Sequence, residues 1–466
     1  MRKNNILNWI KLSSFIFVLS ILFVSCNQDE MFEPDAQETT ALRVVVGDFP
    51  AFGGNAQTRA SNIGVPDAGK THWVENDEII ISVKSEKYGT QYATLTYNGE
   101  EWCFDDYLKY LEGENEEDGT LEVTALYAPC YEVLDDAISL KEGKTEGMDE
   151  YLEVKCHIEN RGVLQIPFSQ AKRDYSRLRI ATMPEVTLTV TTTDFTPAGA
   201  TSVATEPYTL TTDKKGNAYL YGTFAEGATV SVKQGDVTLK DYTFTAEKNP
   251  NGTEHNKSYA LDARPVIDGT LGGKAIATED DITALVEQLK EYVDNGITTI
   301  IVPGSEPALI EMDSWTNTAI GEAIYRLSGS DDYDENYPYN GKIDLILQDV
   351  TEIVDQEFYS AWALNSITLP KVIKIGDEAF HRTWFLKTIT FESVLIEVNE
   401  TGGVMFAQVG KEVDGCNLFI NCGQMNENSV PTPDLTTNTW KFKYENEFKS
   451  ITLTHTGACD ECKANQ

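Results

Sequence analysis

Several stretches of the chain place chemically capable side chains at spacings that known chemistry uses. Gly64-Val-Pro-Asp-Ala-Gly69-Lys70-Thr71 satisfies the phosphate-loop pattern G-x-x-x-x-G-K-T. That pattern holds phosphate only between a strand and a helix, where backbone N–H groups and the helix N-terminus converge on the anion. Here Thr-Arg-Ala-Ser-Asn-Ile precedes it and the strand-like Trp73 to Val83 follows, so nucleotide binding is not expected. Asp332, Asp334 and Asn336 stand at calcium-loop spacing, but Tyr337 occupies the position that needs glycine and Ile343 the twelfth, where glutamate belongs. A solvated loop over 329–341 is the expectation. Cys459-x-x-Cys462 sits in the polar tail GACDECKANQ without the two further ligands or the βα context that zinc or redox chemistry requires. The five His residues (72, 157, 255, 381, 455) are scattered, with no His-Glu-x-x-His and no Gly-x-Ser-x-Gly. These residues argue for no enzyme, no catalytic residues, no cofactor and no metal.

The start of the chain bears on where such residues would work. MRKNNILNWIKLSSFIFVLSILFVSC has a basic region to Lys11, an apolar core from Phe15 to Val24, and then Ser25-Cys26. It reads as a signal peptide over 1–25, too short for a membrane span. Phe-Val-Ser-Cys resembles a lipobox, which implies lipidation of Cys26. The following Asn27-Gln28-Asp29-Glu30 resembles the acidic export tag that sends lipoproteins of some anaerobic Gram-negative bacteria to the outer face of the outer membrane. The expected address is therefore the cell outer membrane, lipid-anchored and facing outside, with 26–40 as a tether. An exported protein meets no ATP pool, which further weakens the phosphate-loop reading. With 37 Lys plus Arg against 74 Asp plus Glu, the net charge of −37 repels nucleic acid and anionic membrane. Eight Cys less Cys26 leaves an odd seven, which fits buried thiols better than a disulfide scaffold.

The chain has the length of about three domains. From Ala41 to about Ala263 it alternates with period two and shows turn signals between short runs, among them LRVVV, EIIISV, YATLTY, LEVTALY, VTLTVTTT and ATVSVKQGD. Such alternation without a convincing helix predicts two β-sandwiches, over 41–162 and 163–265. Thr58-Arg59-Ala60, then Trp73, Asp77 and Ile79, then GTFAEGATVSVK and KSYALDARP, resemble fimbrillin-type proteins. The resemblance implies transthyretin-like sandwiches, possible partnership with other pilus subunits, and proteolytic processing between Arg59 and Ala60. The simpler alternative leaves Arg59 as an exposed linker residue.

TEDDITALVEQLKEYVDNG predicts a helix with Thr278 as N-cap, Asp281 three residues on, Gly296 past its end, and an apolar stripe of Ile282, Leu285, Val286, Leu289 and Val293. Beyond it VTEIVDQEFYSAWALNSITL recurs as VIKIGDEAFHRTWFLKTITF, offset by 22 residues from Val350 to Val372. A fixed period of about 20 to 29 residues predicts a solenoid of stacked parallel strands. The unit resembles the BspA-type leucine-rich repeat of bacterial surface proteins, expected over 274–456, with the helix as its N-terminal cap and a polar tail at 457–466. In register, the outward positions of the strands are Ile301, Ile346, Thr368, Thr390, Phe419 and Thr452. The resemblance implies a buried small residue three after each Phe, filled here by Ala361 and Thr383, which puts Trp362 and Trp384 one step off that column. Two readings stay open for them: an exposed indole platform for sugars or proteins, or a pair packed into the flank. Trp362, Trp384, Thr368, Thr390, Ile346 and Phe419 are thus the candidate ligand-contacting residues.

The expected fold class is mainly β, two sandwiches followed by a short leucine-rich solenoid. What the resemblances imply is an outer-surface lipoprotein that acts as an adhesin or binding module for a host or bacterial surface protein or glycan. A pilus tip or accessory subunit is one alternative, and a glycan-capture lipoprotein another.

Overall fold

The computed structural model describes residues 43–53, 66–106, 108–110, 114, 117, 119–159, 163–267, 270–271, 274–276, 278–304, 318–329, 336–392, 397–398, 406–421, 432–434, 439–441 and 448–454. It is mainly β, with several sheets, and divides into two compact units. The first comprises Met1–Phe52 with Ala68–Asp174, the second Gly53–Asp67 with Tyr175–Gln466.

In the first unit the strands are β1 (Arg43–Val46), β2 (Glu78–Ser85), β3 (Gly89–Tyr97), β4 (Trp102–Phe104), β5 (Leu121–Tyr127), β6 (Tyr131–Leu134), β7 (Ala137–Leu140), β8 (Leu152–Lys155), β9 (His157–Glu159) and β10 (Val163–Ile166). A five-stranded sheet, order β4-β3-β2-β5-β8, shares a core with a three-stranded sheet, order β1-β10-β9. Alternation decides which side chains enter that core. Ile79, Ile81 and Val83 of β2 are fully buried and meet Leu164, Ile166 and Phe168 in one cluster. The opposite face of β2 and β5 is also covered, because Ile80, Leu126 and Ala128 pack against Tyr131, Val133 and Ile138 of the β6–β7 hairpin. That hairpin turns on Asp135 and Asp136, with φ of 51° and 57°, the left-handed pair a two-residue hairpin loop requires and aspartate tolerates. The domain boundary expected at 162/163 falls inside this unit. β10 pairs in parallel with β1, Val44 opposite Leu164 and Val46 opposite Ile166, so Val163–Ile166 belongs to the sheets of the first unit, which runs on to Asp174.

The second unit opens with strands β11 (Ser176–Ala181), β12 (Thr187–Thr192), β13 (Phe195–Pro197), β14 (Tyr208–Thr211), β15 (Asn217–Phe224), β16 (Thr229–Gln234), β17 (Val237–Thr243) and β18 (Ser258–Asp262). They form two four-stranded sheets, β13-β15-β11-β18 and β14-β12-β16-β17. Between them Phe224 stacks on Phe195 and Phe244 at 4.3 and 4.7 Å. A side chain at Gly222 would bring its Cβ within 2.4 Å of the Phe195 ring, so the glycine is what lets that ring lie across β15.

Past a short hairpin, β19 (Thr270–Leu271) with β20 (Lys274–Ala275), helix α1 spans Glu279–Asp294. Thr278 and Asp281 form a reciprocal capping box, and the buried stripe is Ile282, Leu285, Val286, Leu289 and Tyr292, with Val293 only half-buried. Strand β21 (Thr299–Val302) precedes a second helix, α2 (Ala319–Leu327), capped by Thr318. Sequence reading missed α2 because it is only nine residues long and carries Gly321 in its first turn. The strands that follow are β22 (Ile343–Leu347), β23 (Glu352–Ile353), β24 (Leu364–Leu369), β25 (Lys374–Ile375), β26 (Thr388–Phe391), β27 (Glu397–Val398), β28 (Cys416–Asn421), β29 (Thr432–Asp434), β30 (Thr439–Lys441) and β31 (Phe448–Thr454). They build a six-stranded parallel sheet, β21-β22-β24-β26-β28-β31, and a three-stranded parallel sheet, β23-β25-β27.

The residues expected to form separate domains at 163–265 and 274–456 share one unit apart from 163–174. The β16–β17 turn docks on the end of α1, where Asp236 N–H donates to Asn295 Oδ1 at 2.9 Å and Gln234 Nε2 to the Gly296 carbonyl at 3.3 Å. Val237 of that turn lies in the same core as α1, α2 and the parallel strands.

Candidate ligand-binding face of the parallel sheet

The site is built by the 22-residue offset. Phe358, Phe380 and Phe406 stack in series, each pair 5.6 Å apart, and Phe358 and Phe380 are fully buried. Around this column, side chains 22 residues apart staple one repeat to the next. Lys374 Nζ pairs with Glu352 at 2.7 Å, Asp355 accepts from the Asp377 N–H at 2.7 Å, and Gln356 Nε2 donates to Glu378 at 2.7 Å. Gln356 and Glu378 take left-handed φ of 59° and 53°, and Ser360 and Arg382 repeat the same pattern at 52° and 61°. The shared 22-residue spacing places Ile346, Thr368 and Thr390 side by side, and the strands of Phe419 and Thr452 continue the register across longer intervals.

On the face turned away from this core two rows run across the strands. In one, Ile301, Ile346, Thr368, Thr390, Phe419 and Thr452 pair in register. Ile346, Thr368, Thr390 and Phe419 are half-buried and Thr452 is exposed. Ile301, expected to face outward with them, is buried: the 265–267 segment pairs with its backbone, Ile301 N–H to the Pro265 carbonyl at 3.0 Å and Ile267 N–H to the Ile301 carbonyl at 2.8 Å. The second row, Thr299, Asp344, Ser366, Thr388, Asn417 and Ser450, is polar throughout. Asp344 Oδ1 accepts from Ser366 Oγ at 2.6 Å and Asn365 Nδ2 at 2.7 Å, and Ser450 Oγ donates to Asn417 Oδ1 at 2.7 Å. Reading the strands with the same parity two residues upstream would have found it.

The indoles stack with ring centroids 5.0 Å apart and planes 13° off parallel. They do not form an open pair. Trp362 is 7 % exposed and its Nε1–H donates to the Arg382 carbonyl at 2.9 Å, so this candidate ligand contact packs into the flank. Trp384 is half-buried, donates to Gln408 Oε1 at 3.1 Å, and carries the Lys411 ammonium 4.5 Å above its ring.

Other candidates resolve differently. Lys70 of the phosphate-loop pattern belongs to the first unit and bonds Asp77 and the Tyr127 hydroxyl, with Phe49 and Trp73 rings around its ammonium. Asp67 of the same pattern belongs to the second unit, where it pairs with Arg177 and accepts from the Tyr219 hydroxyl at 2.9 Å. Both are spent on structure. Cys26, Arg59, Ala60, Asp332, Asp334, Cys459 and Cys462 lie outside the described residues. Among the described residues no three His, Cys, Asp or Glu side chains are grouped to hold a metal, and no helix is long and apolar enough to cross a membrane. Burial pushes the Cys130 thiol up to about 11 and the Cys416 thiol to about 12, so neither is a nucleophilic thiolate at neutral pH.

Glu357 is a feature the sequence did not reveal. It stands where the next repeat has Ala379 and is fully buried, with Oε2 accepting from the Val354 N–H at 3.0 Å and Oε1 facing Thr318 Oγ1 at 3.3 Å. Burial pushes its carboxyl up from 4.5 to about 8. A folded-state value above the unfolded one means that the folded chain holds a proton which the unfolded chain has released between the two. Stability from this group is therefore full below 4.5 and lost as pH rises toward about 8. Glu357→Gln is expected to flatten that part of the pH dependence in urea unfolding measured across the same window. An unchanged slope would refute the buried, protonated carboxyl.

No family model matches the chain, and no curated protein matches it. Among solved structures, a Bacteroides fragilis protein whose role in cell adhesion is itself only proposed aligns with a TM-score of 0.29 and 9% identity, over 49% of this chain and 95% of that one. A likeness at that level carries no argument about fold or function.

Proposed function

We propose that this chain is a lipid-anchored outer-surface protein that works by contact, with the parallel-sheet half as its binding module. The observation that carries the reading is the outer face of the six-stranded sheet. There Ile346, Thr368, Thr390, Phe419 and Thr452 run in register beside a polar row held in place by its own hydrogen bonds. A flat face of fixed rotamers loses little conformational entropy on binding. In this reading the repeats form a BspA-like leucine-rich solenoid capped by α1, the sandwiches are fimbrillin-like, Cys26 carries the lipid, and the chain performs no reaction.

The pilus reading has one supporting observation: β1 is an edge strand of its sheet. Its removal would open the edge of β10, to which a strand from another subunit could add.

The test is binding of the full chain, kept soluble by Cys26→Ala, to immobilised matrix proteins and glycans of a host epithelium. Thr390→Glu with Phe419→Glu puts two carboxylates on the face in place of a hydroxyl and a ring and is expected to weaken binding about tenfold or more with little change in thermal unfolding. Binding that is indifferent to both substitutions would sink the reading.

A further inference from the structure

Along the edge where the parallel strands begin, four cations stand on the backbone segments that flank the indole stack, one of them over the Trp384 ring. Lys342 and Lys387 stand immediately before β22 and β26, and backbone bonds tie them to neighbouring repeats. Lys342 N–H donates to the Ala363 carbonyl at 2.9 Å, Lys387 N–H to the Asn365 carbonyl at 2.8 Å, and Asn417 N–H to the Lys387 carbonyl at 2.8 Å. Arg382 lies two residues before Trp384, and its guanidinium donates to the Tyr359 hydroxyl at 3.5 Å. Lys342, Arg382 and Lys387 are exposed and make no ion pair with a carboxylate among the described residues. Lys411, over the Trp384 ring, has Glu412 at 3.7 Å and a side chain 53% exposed. Two carboxylates of the described residues next to these segments have partners, Asp414 in Lys449 and Asp344 in Asn365 and Ser366. In a chain with twice as many acidic as basic residues, this edge runs against the composition.

We propose that this edge binds an anionic carbohydrate, a pyranose chain bearing carboxylate or sulfate groups, which rests on the contact reading above and gives it a ligand class. Lys411 covers the outer face of Trp384 through a cation–π contact that water-exposed ammonium groups exchange readily. A pyranose presents a flat C–H face to an aromatic ring and anions at its rim, so it can take the ring while its acid groups meet Lys411, Lys387, Lys342 and Arg382. An acidic peptide offers the charge without the face. The buried Trp362 acts as a positioning residue, since it supports the Trp384 ring from beneath.

The experiment is calorimetric titration of the soluble full chain with oligogalacturonate, dextran sulfate, neutral dextran and polyglutamate. Binding is expected for at least one of the two anionic glycans, weakening as salt rises, and the pair of arms tells carboxylate from sulfate. Lys342→Glu with Lys387→Glu, both exposed, is expected to weaken it about tenfold or more with unfolding temperature unchanged. The inference is overturned if neither anionic glycan binds, if neutral dextran or polyglutamate binds as well, or if the double variant binds like the parent. Matrix binding that persists alongside any of these results, and still fails in Thr390→Glu with Phe419→Glu, would leave the surface-contact reading standing without this ligand class.

Discussion

Arg173→Ala is expected to destabilise the first unit by about 3 to 5 kcal/mol, the cost of leaving a buried charge without its partner. The Arg173 and Glu150 side chains are 1% and 3% exposed. The guanidinium holds both carboxylate oxygens, Nε to Oε2 at 3.0 Å and Nη2 to Oε1 at 3.3 Å. It also donates to the carbonyls of Pro50 at 2.8 Å and Ala51 at 3.3 Å, and lies 3.9 Å from the centre of the Phe52 ring. One side chain thus clamps the segment that leaves β1. Its loss takes a cation from the Glu150 carboxylate and a donor from each of two carbonyls in a site with little access to water. Urea unfolding followed by amide exchange in β2 and β10 measures the effect, with β12 and β16 of the second unit as internal reference. A loss under about 1 kcal/mol would show that the clamp is a surface-type pair. Arg173→Met with Glu150→Leu separates charge from packing, because replacing both partners by apolar groups removes the stranded charge and is expected to restore most of the stability.

Phe380→Ala is expected to cost about 3 to 5 kcal/mol in the parallel-sheet half, as for a fully buried aromatic whose cavity cannot close. Phe380 is the middle ring of the stack, flanked by Phe358 and Phe406 at 5.6 Å on either side, so its removal takes contacts from two neighbouring repeats at once. Exchange protection in β24, β26 and β28 is expected to fall together while β2 in the first unit stays protected. Phe380→Leu keeps most of the volume and is expected to cost less than half as much. If β26 alone loosens, the repeats are energetically independent and the stacked column is not what couples them.

The 22-residue offset was legible because a parallel sheet built from equal repeats has one register that keeps every apolar side chain inside. From Val350 and Val372 alone one can align Thr368 with Thr390, and the pairing of these two residues follows. The capping box of Thr278 and Asp281 was legible for a similar reason, since both bonds are made within four residues. Helix α2 was not, because nine residues with a glycine give weak periodicity and its stability comes from packing. Period-two alternation announced strands but not which strands share a sheet, and so missed that β10 returns to pair with β1.

What the sequence by itself determined about this protein is therefore local or periodic: mainly β structure, the repeat, the in-register row from Ile346 to Thr452, and the capping box of α1. What only the tertiary structure decided is how distant residues meet. The indole of Trp362 is buried because the next repeat supplies the Arg382 carbonyl to its N–H and the Trp384 ring to its face. Lys70 is spent on Asp77 and Tyr127, Glu357 is sealed against Thr318, and Arg173 reaches back to Pro50 across 123 residues. Apart from Lys70 with Asp77, seven residues apart, each is a contact between a polar group and a partner far along the chain, and burial is what selects it. A polar side chain removed from water must find a partner or neutralise its charge, and composition and period along the chain do not say which partner the fold will bring.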